Sequence, residues 1–460
     1  MFERHIDLVK MQSNLQKWLQ GKMPQARELT ISPLKRSSGG FANETFFFDM
    51  SWKEGGKSKT EKLVLRWQPQ DYPVFLDYDL AMQFHTIERL QKSGIPVAKT
   101  YWLEMDKSIL DSPFYIMGYI PGVTACEVPP YHSAGLCVES TPEQRAKMWW
   151  GCLEMMAKIH KLNWKKFDFS FMGIPKGGTD ALDRQLDYYE RYLNWVRKEP
   201  QPILDKALEW LKEKRFAPKR VTLCWGDCRI PNLLYDDKLN VVAVLDWEMA
   251  SICDPISDLA WFFFLDWHHS LGYGIPRLEG FPDRKETIER YEKLTGWKVE
   301  NLLYFDVLAA FKFGVIMAKI AQHMKATGAP SPTADFEIDN ACTQRLAELL
   351  ELPPPGGKKK EATKIEEVKV AVQIHLTGPG GCDWYLISDK GVGKRYEGTV
   401  NDLTPSATVT ATAQDWSDIQ SGKLDRVQAF MGGNLKVEGD ISLMLQLEEM
   451  ISRFSKGKPE

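Results

Sequence analysis

The chain has 460 residues, of which 43% are hydrophobic, 26% charged and 12% aromatic, and its formal net charge is −3. That length suits roughly three compact units with apolar material for more than one core. The charge balance excludes the basic excess of a nucleic-acid binder, and the most hydrophobic stretch, Leu259 to Leu265, is far too short to span a bilayer. The N-terminal MFERHIDLVK carries charges where a secretory signal needs its apolar region, and the C-terminal KPE matches no lipidation or peroxisomal tail. The expected setting is soluble and cytoplasmic. Eight cysteines are scattered without a framework. Cys224 and Cys228 flank Trp-Gly-Asp, but no second pair follows at a zinc-like spacing, so they read as small buried thiols.

In chain order, Phe46 to Met50 and Lys62 to Trp67 read as strands, with Leu63 and Leu65 on one face of the second. Leu80, Phe84, Ile87 and Leu90 recur at helical spacing, and Phe114 to Ile120 is a further strand closed by Pro121-Gly122. Beyond Met117 the chain turns helical, with an apolar stripe at Trp149, Leu153, Met156 and Ile159. Further helices are expected at 181–197, 202–214, 300–325 and 337–351. His160 ends its stripe and reads as a packed or capping residue, and Trp261 to Phe264 reads as core. Pro353 to Thr363, PPPGGKKKEAT, can sustain neither helix nor central strand and reads as a linker. After it, residues 407–413 alternate Ala and Val with Thr. A short helical pattern covers Val427 to Met431, a strand Asn434 to Glu438, and an amphipathic helix Ser442 to Phe454.

The chemistry concentrates in Leu223 to Phe264. An apolar run, Val221 to Cys224, ends in Trp-Gly-Asp and leaves Asp227 on a loop. Two strands, Leu233 to Tyr235 and Val241 to Leu245, enclose a turn, and the second delivers Asp246. Phosphoryl transfer needs such a set: one carboxylate for the acceptor hydroxyl, and an amide with a second carboxylate for a metal that neutralises phosphate. Asp227 and Asn232 stand in D-x-x-x-x-N spacing.

The segment resembles the aminoglycoside-phosphotransferase and choline-kinase-like superfamily, whose pattern is H-G-D-x-x-x-x-N, then D-W/F-E, then D-P-x-x-D-L-A. Gly226, Asp227, Asn232, Asp246, Trp247, Glu248, Asp254, Pro255, Asp258, Leu259 and Ala260 match it. The resemblance implies a two-lobed protein-kinase-like fold of the α+β class, with ATP and Mg2+ as cofactors. It makes Asp227 the catalytic base and Asn232 and Asp246 the metal ligands. It leaves Asp254 and Asp258 structural, with Asp258 as a helix cap. SSGGFANETFFF resembles the glycine-rich nucleotide loop, putting Ser38, Gly39, Gly40 and Asn43 near the phosphates, and Arg66 falls where the family's phosphate-binding lysine stands. Met117 and Tyr119 resemble the hinge that meets adenine. Trp225 replaces the motif's histidine, Arg66 its lysine, and Gln83 the glutamate that pairs with that lysine.

In style the chain is similar to the kinase-like domain fused to some acyl-CoA dehydrogenases and to hydroxyacyl-CoA kinases. That likeness implies a small-molecule acceptor hydroxyl on an apolar or acyl-CoA-like compound. A small polar amino-alcohol or sugar is the rival acceptor, and a pseudokinase scaffold the rival without chemistry. The C-terminal AQDWSDIQSGKLDRVQAFMGGNLKVEGDISLMLQL resembles the sterol carrier protein type 2 family. It implies a small α+β carrier for an acyl-CoA or sterol-like ligand, with Phe430, Met431, Leu443 and Leu447 against that ligand or simply in the core. The expected divisions are 1–118, a β-rich nucleotide lobe; 119–352, a helical catalytic lobe; 353–361, the linker; and 362–460, the lipid carrier.

Overall fold

A computed structural model describes residues 6–37, 44–68, 73–328, 335–355, 370–389, 392–399, 405–421, 423–424, 429 and 434–439. The chain divides into two compact units. One comprises Met1–Glu127, Gly135–Trp267 and Leu278–Ile316; the other comprises Val128–Ala134, His268–Arg277 and Met317–Glu460.

The first unit opens with a helix, Leu8–Lys22, capped by Asp7, whose side chain accepts from Lys10 N at 2.9 Å. Met11, Leu15 and Leu19 recur every fourth residue and are buried, so the helix presents one apolar stripe. That stripe meets a six-stranded antiparallel sheet ordered β1 (Arg27–Ile31), β3 (Glu44–Glu54), β4 (Lys57–Trp67), β6 (Phe114–Gly118), β5 (Thr100–Glu104), with β2 (Lys35–Arg36) paired to β3. Strands β3 and β4 are longer than their apolar runs predict because Gly55 and Gly56, at φ of 57° and 76°, form the tight turn that extends their ladder. Phe46, Phe48, Met50, Leu63, Leu65 and Trp67 fill the core beneath the helix. The other face carries Thr45 and Phe47 of β3, opposite Arg66 and Val64 of β4, which lie opposite Tyr115 and Met117 of β6.

Ser38, Gly39, Gly40 and Asn43 lie outside the described residues. Their flanks are tied together, since Arg36 grips Glu44 through two 2.7 Å hydrogen bonds.

The helical part contains Pro142–His160, Asp180–Val196, Pro202–Glu213, Ile256–His268, Arg284–Thr295 and Leu302–Thr327. Thr141 with Gln144, and Asp283 with Glu286, form capping boxes that set two of the starts. Two short antiparallel pairs sit among these helices: β7 (Thr222–Cys224) with β10 (Ser251–Cys253), and β8 (Leu233–Tyr235) with β9 (Val241–Val244). Among the described residues no helix is long and apolar enough to cross a membrane.

Among the described residues the second unit holds a five-stranded sheet ordered β13 (Val392–Glu397), β12 (Asp383–Asp389), β11 (Val370–Thr377), β14 (Ala407–Thr412), β15 (Leu435–Gly439), in which the β11–β14 pair is parallel and the other pairs antiparallel. The alternation predicted over 407–413 ends one residue early, because Thr412 accepts from Asp415 N at 3.0 Å and starts the helix Ala413–Gln420. Strand β11 escapes a period-two reading because Ala371, Val372, Gln373 and Ile374 are all buried. The patterns at Val427 to Met431 and Ser442 to Phe454, with Phe430, Met431, Leu443 and Leu447, lie outside the described residues apart from Ala429, which is helical and buried.

The two faces of β3 differ in what they support, and this is testable. Phe46→Ala should cost ~3–5 kcal/mol, read as a fall in the urea midpoint of the full chain. Phe47→Ala, on the partly exposed face, should cost about half of that or less.

Candidate active site

The loop after β7 is set by its backbone. Gly226 has a φ of 91°, and a Cβ there would stand 2.1 Å from the Met249 carbonyl oxygen, so only glycine fits. Asp258, 1% exposed, accepts the Trp225 N–H at 2.6 Å and the Gly226 N–H at 3.0 Å on its two oxygens. His160 Nε2 lies 3.0 Å from Asp258 Oδ2, and its Nδ1 lies 2.7 Å from the Tyr291 hydroxyl. Asp258 is therefore not the cap expected from the sequence. The helix begins at Ile256, and Asp254 accepts the Ile256 N–H at 2.9 Å. His160 is packed, one of the two expectations for it, and instead of capping it bridges two helices and the loop. Trp225, at the motif's histidine position, donates from Nε1 to the carbonyls of Leu245 (2.8 Å) and Asp246 (3.0 Å).

Asp227 follows this grip and is itself held by three donors. Asn232 Nδ2 (2.7 Å) and Arg229 Nε (3.0 Å) reach Oδ2, and Trp261 Nε1 (2.9 Å) reaches Oδ1. A carboxylate has about four lone-pair directions, so one on Oδ1 is left for a further donor. Asn232 spends its amide nitrogen on Asp227, which turns its carbonyl oxygen outward from that pair. Arg229 also pairs with Glu127 at 2.5 Å.

Asp246 ends the β8–β9 hairpin at a φ of 56°, and Leu245 N donates to Asn232 O at 2.9 Å, so the hairpin brings Asn232 and Asp246 to one end. Asp246 Oδ1 is buried and has no hydrogen-bond partner among the described residues. Burial raises the pKa of Asp246; Arg66 opposes this, Asp227 adds to it and Arg229 opposes it. Glu248 is pushed well above the ordinary carboxylate range by burial and by Asp246. Four carboxylates (Asp227, Asp246, Glu248 and Glu127) thus face two guanidiniums, Arg66 and Arg229. Burial works against the Arg66 cation, but Tyr115, Asp246 and Glu248 outweigh it and its pKa rises. Arg66 also donates to Thr45 Oγ1 at 2.8 Å. The excess negative charge and the unpartnered Asp246 oxygen fit a divalent cation. Asp246, Glu248 and the side-chain oxygen of Asn232 offer hard-oxygen donors that could hold such an ion.

The structure thus brings together Asp227, Asn232, Asp246 and Arg66. Met117 and Tyr119 lie further along the sheet, at the end of β6. The Tyr119 N–H bonds to Lys62 O at 3.0 Å, and its ring centroid is 5.9 Å from that of Phe47. Gln83, on the helix Leu80–Leu90, is buried. Four residues escaped the sequence reading as site residues. Arg229 and Glu248 lie inside the recognised motifs, where their charge was the available signal. Trp261 reads as core, and only its Nε1 direction ties it to Asp227. Glu127 lies 102 residues from its partner, with no local signal at all.

The profile of the phosphotransferase enzyme family matches residues 33–297, and that of the SCP-2 sterol transfer family matches residues 346–452. The chain is 24% identical over 350 residues to acyl-CoA dehydrogenase family member 10 of Mus musculus, covering 74% of this chain and 30% of that protein. It is 26% identical over 371 residues to family member 11 of Pongo abelii, covering 76% and 43% respectively. The chain thus spans less than half the length of these relatives. A solved structure from Ralstonia eutropha, assigned to the aminoglycoside phosphotransferases, shares the fold at a TM-score of 0.52 and 21% identity, covering 74% of this chain and 95% of its own.

The strain at Asp246 predicts a trade between stability and metal binding. The pKa of Asp246 is raised in the folded state, so the folded protein takes up this proton more readily than the unfolded chain. Its stability relative to a permanently neutral variant therefore rises as pH falls through the folded pKa. In the metal-free protein, Asp246→Asn should raise the melting temperature near neutral pH, and the gain should shrink as the pH falls and the wild-type carboxyl takes up its proton. The same variant should lose affinity for magnesium by calorimetry.

Proposed function

Because the chain belongs to the phosphotransferase enzyme family and carries a C-terminal domain of the SCP-2 sterol transfer type, we propose that it is an ATP- and magnesium-dependent kinase. Its acceptor would be a hydroxyl on an apolar or acyl-CoA-like small molecule. The observation that carries the reading is the buried, unpartnered Asp246 oxygen beside Asp227, Arg66 and Arg229. A site built only for structure would pair that atom.

The partly exposed face of the N-terminal sheet supports the nucleotide half. Along it, Phe47, Val64 and Met117 form an apolar stretch, and Thr45, Arg66 and Tyr115 a polar one nearer Asp246. That order suits a molecule with a flat base at one end and phosphates at the other. Arg66 would hold phosphate by its fork, and its planar guanidinium needs less orientation from a partner than lysine would. Asp246, Asn232 Oδ1 and Glu248 would hold the metal, which neutralises phosphate charge when bound. The remaining lone pair of Asp227 Oδ1 would take the acceptor's proton as its oxygen bonds to the γ-phosphorus and the bond to the β-phosphate oxygen breaks. Trp261, Arg229 and Asn232 would keep that carboxylate from turning.

In the C-terminal domain we infer a site for an acyl or sterol-like chain. Its support is the sheet face of Val372, Ile374, Leu386, Val409 and Leu435, which packs with Ile419 and with the half-buried Trp416 of the following helix. Domain limits near 118, 353–361 and 362 accompany this reading.

Asp227→Ala should lower turnover by about 10²–10⁴-fold while leaving nucleotide affinity nearly intact, because the base meets the acceptor and not ATP. Asp246→Ala should weaken magnesium–ATP binding as well. If the wild-type protein binds no ATP with magnesium by calorimetry, the kinase reading fails. Cleavage at an inserted protease site within 356–361 should leave ATP affinity unchanged but reduce turnover at low acceptor concentration, with recovery at saturation. Equal turnover at all concentrations would reject a delivery role for the carrier domain.

A further inference from the structure

Lys312 lies on the helix Leu302–Thr327 and is 7% exposed. Its ammonium sits 4.8 Å from the centroid of the Trp261 ring and 5.3 Å from that of Tyr189. Trp261 carries its other contact at its edge, where Nε1 donates to Asp227 Oδ1 at 2.9 Å. Tyr189 is buried within the field of both Asp227 and Glu248. Lys312 is therefore one ring away from the carboxylate that faces the acceptor.

Among the described residues no hydrogen bond or ion pair reaches the Lys312 ammonium. The carboxylate that most supports its charge is Asp258, whose oxygens already take the Trp225 and Gly226 N–H groups and face His160. Ring faces attract a cation, but they do not satisfy three N–H donors as carboxylate or carbonyl oxygens do. An ammonium on a side chain this buried, held by ring faces and not fully enclosed, is costly unless something else uses its charge. Around it stand aromatic rings and buried thiols: Phe313 packs on Trp261 at 5.7 Å, Tyr192 stacks on Tyr189 at 6.2 Å, and Cys224, Cys228 and Cys253 lie within its field.

We propose that Lys312 is the acceptor-recognising cation of this site, binding a carboxylate or thioester carbonyl oxygen of an apolar molecule whose hydroxyl reaches Asp227. This rests on the phosphotransferase reading above and narrows it to a substrate class. A cationic amino-alcohol would bring like charge to a buried ammonium and is rejected. A neutral diol leaves the donors unanswered and is accepted poorly. Burial pushes the Lys312 ammonium down from its ordinary pKa and Asp258 pulls it up, so an anionic ligand would reinforce the charged form.

The test uses the full chain with magnesium and ATP, and a matched set of ten-carbon acceptors: hydroxydecanoates with the hydroxyl at successive carbons, their CoA thioesters, decanediol and aminodecanol. The acid or thioester should exceed the diol and the amino-alcohol in kcat/KM by about ten-fold or more. Lys312→Met should raise KM for the preferred acceptor about ten-fold and flatten the ranking, with ATP affinity unchanged and melting temperature equal or higher. Lys312→Arg should keep the ranking. A wild type that prefers aminodecanol, or a Lys312→Met protein that melts earlier and loses all acceptors alike, overturns the proposal and makes Lys312 a structural counter-charge to Asp258. Absence of ATP binding in the wild type would instead strike the kinase reading. Lys312 is then judged by calorimetry alone: the wild type should bind one more equivalent of hydroxydecanoate than Lys312→Met, and equal stoichiometry rejects the site.

Discussion

Two consecutive backbone N–H groups, those of Trp225 and Gly226, point at the single carboxylate of Asp258, and the place of Asp227 follows from that grip. A buried carboxylate that accepts two backbone donors is a strong, directional anchor. It acts here because Gly226 can take a backbone conformation that leaves no room for a side chain against Met249. His160 and Tyr291 extend the anchor into the helices Pro142–His160 and Arg284–Thr295. The loop carrying the reactive carboxylate is thus held by three helices at once, although it contains almost no regular structure itself.

Around that anchor the site is charged beyond what its own residues neutralise. Four carboxylates and two guanidiniums share a small volume, one carboxylate oxygen is buried without a partner, and Asp246 and Glu248 hold their protons more tightly than ordinary acids. Such an arrangement is a poor way to stabilise a fold and a good way to prepare a site for a cation. Arg66 comes from strand β4 and Arg229 from the loop after β7, and both act on Asp246 and Glu248, yet the four carboxylates outnumber the two guanidiniums.

The N-terminal sheet serves two ends with one set of strands. Alternate residues of β3, β4 and β6 fill the core beneath the first helix, and the residues between them form a partly exposed face graded from apolar to cationic. The helical part behaves alike. Trp261 fills core with its ring and reaches Asp227 with its nitrogen, and the same ring backs the ammonium of Lys312. Residues that look like packing thereby shape the chemistry.

What the sequence determined by itself is what short spacing encodes. The loop aspartate, the amide five residues on, the hairpin that delivers Asp246, and the period-two and helical stripes are all set by neighbours along the chain, so they are legible without coordinates. The Gly55-Gly56 turn is equally local, yet apolar runs alone do not reveal the length of its ladder, because Ser58 to Glu61 are polar and give no apolar signal. What only the tertiary structure decided depends on groups distant in sequence meeting in a low-dielectric interior. Asp258 turned from an expected cap into the loop's anchor because the β7–β10 pair brought two N–H donors to it, and a competing cap at Asp254 was one turn away. Glu127 reached Arg229 across 102 residues, and Lys312 reached Trp261 across a helix packing that no spacing rule describes. Strand β11 was hidden for the same reason: a strand buried on both faces loses its alternation, and only its pairing with β12 and β14 identifies it. Local periodicity is written in the order of residues, but the partner of a buried charge is chosen by packing.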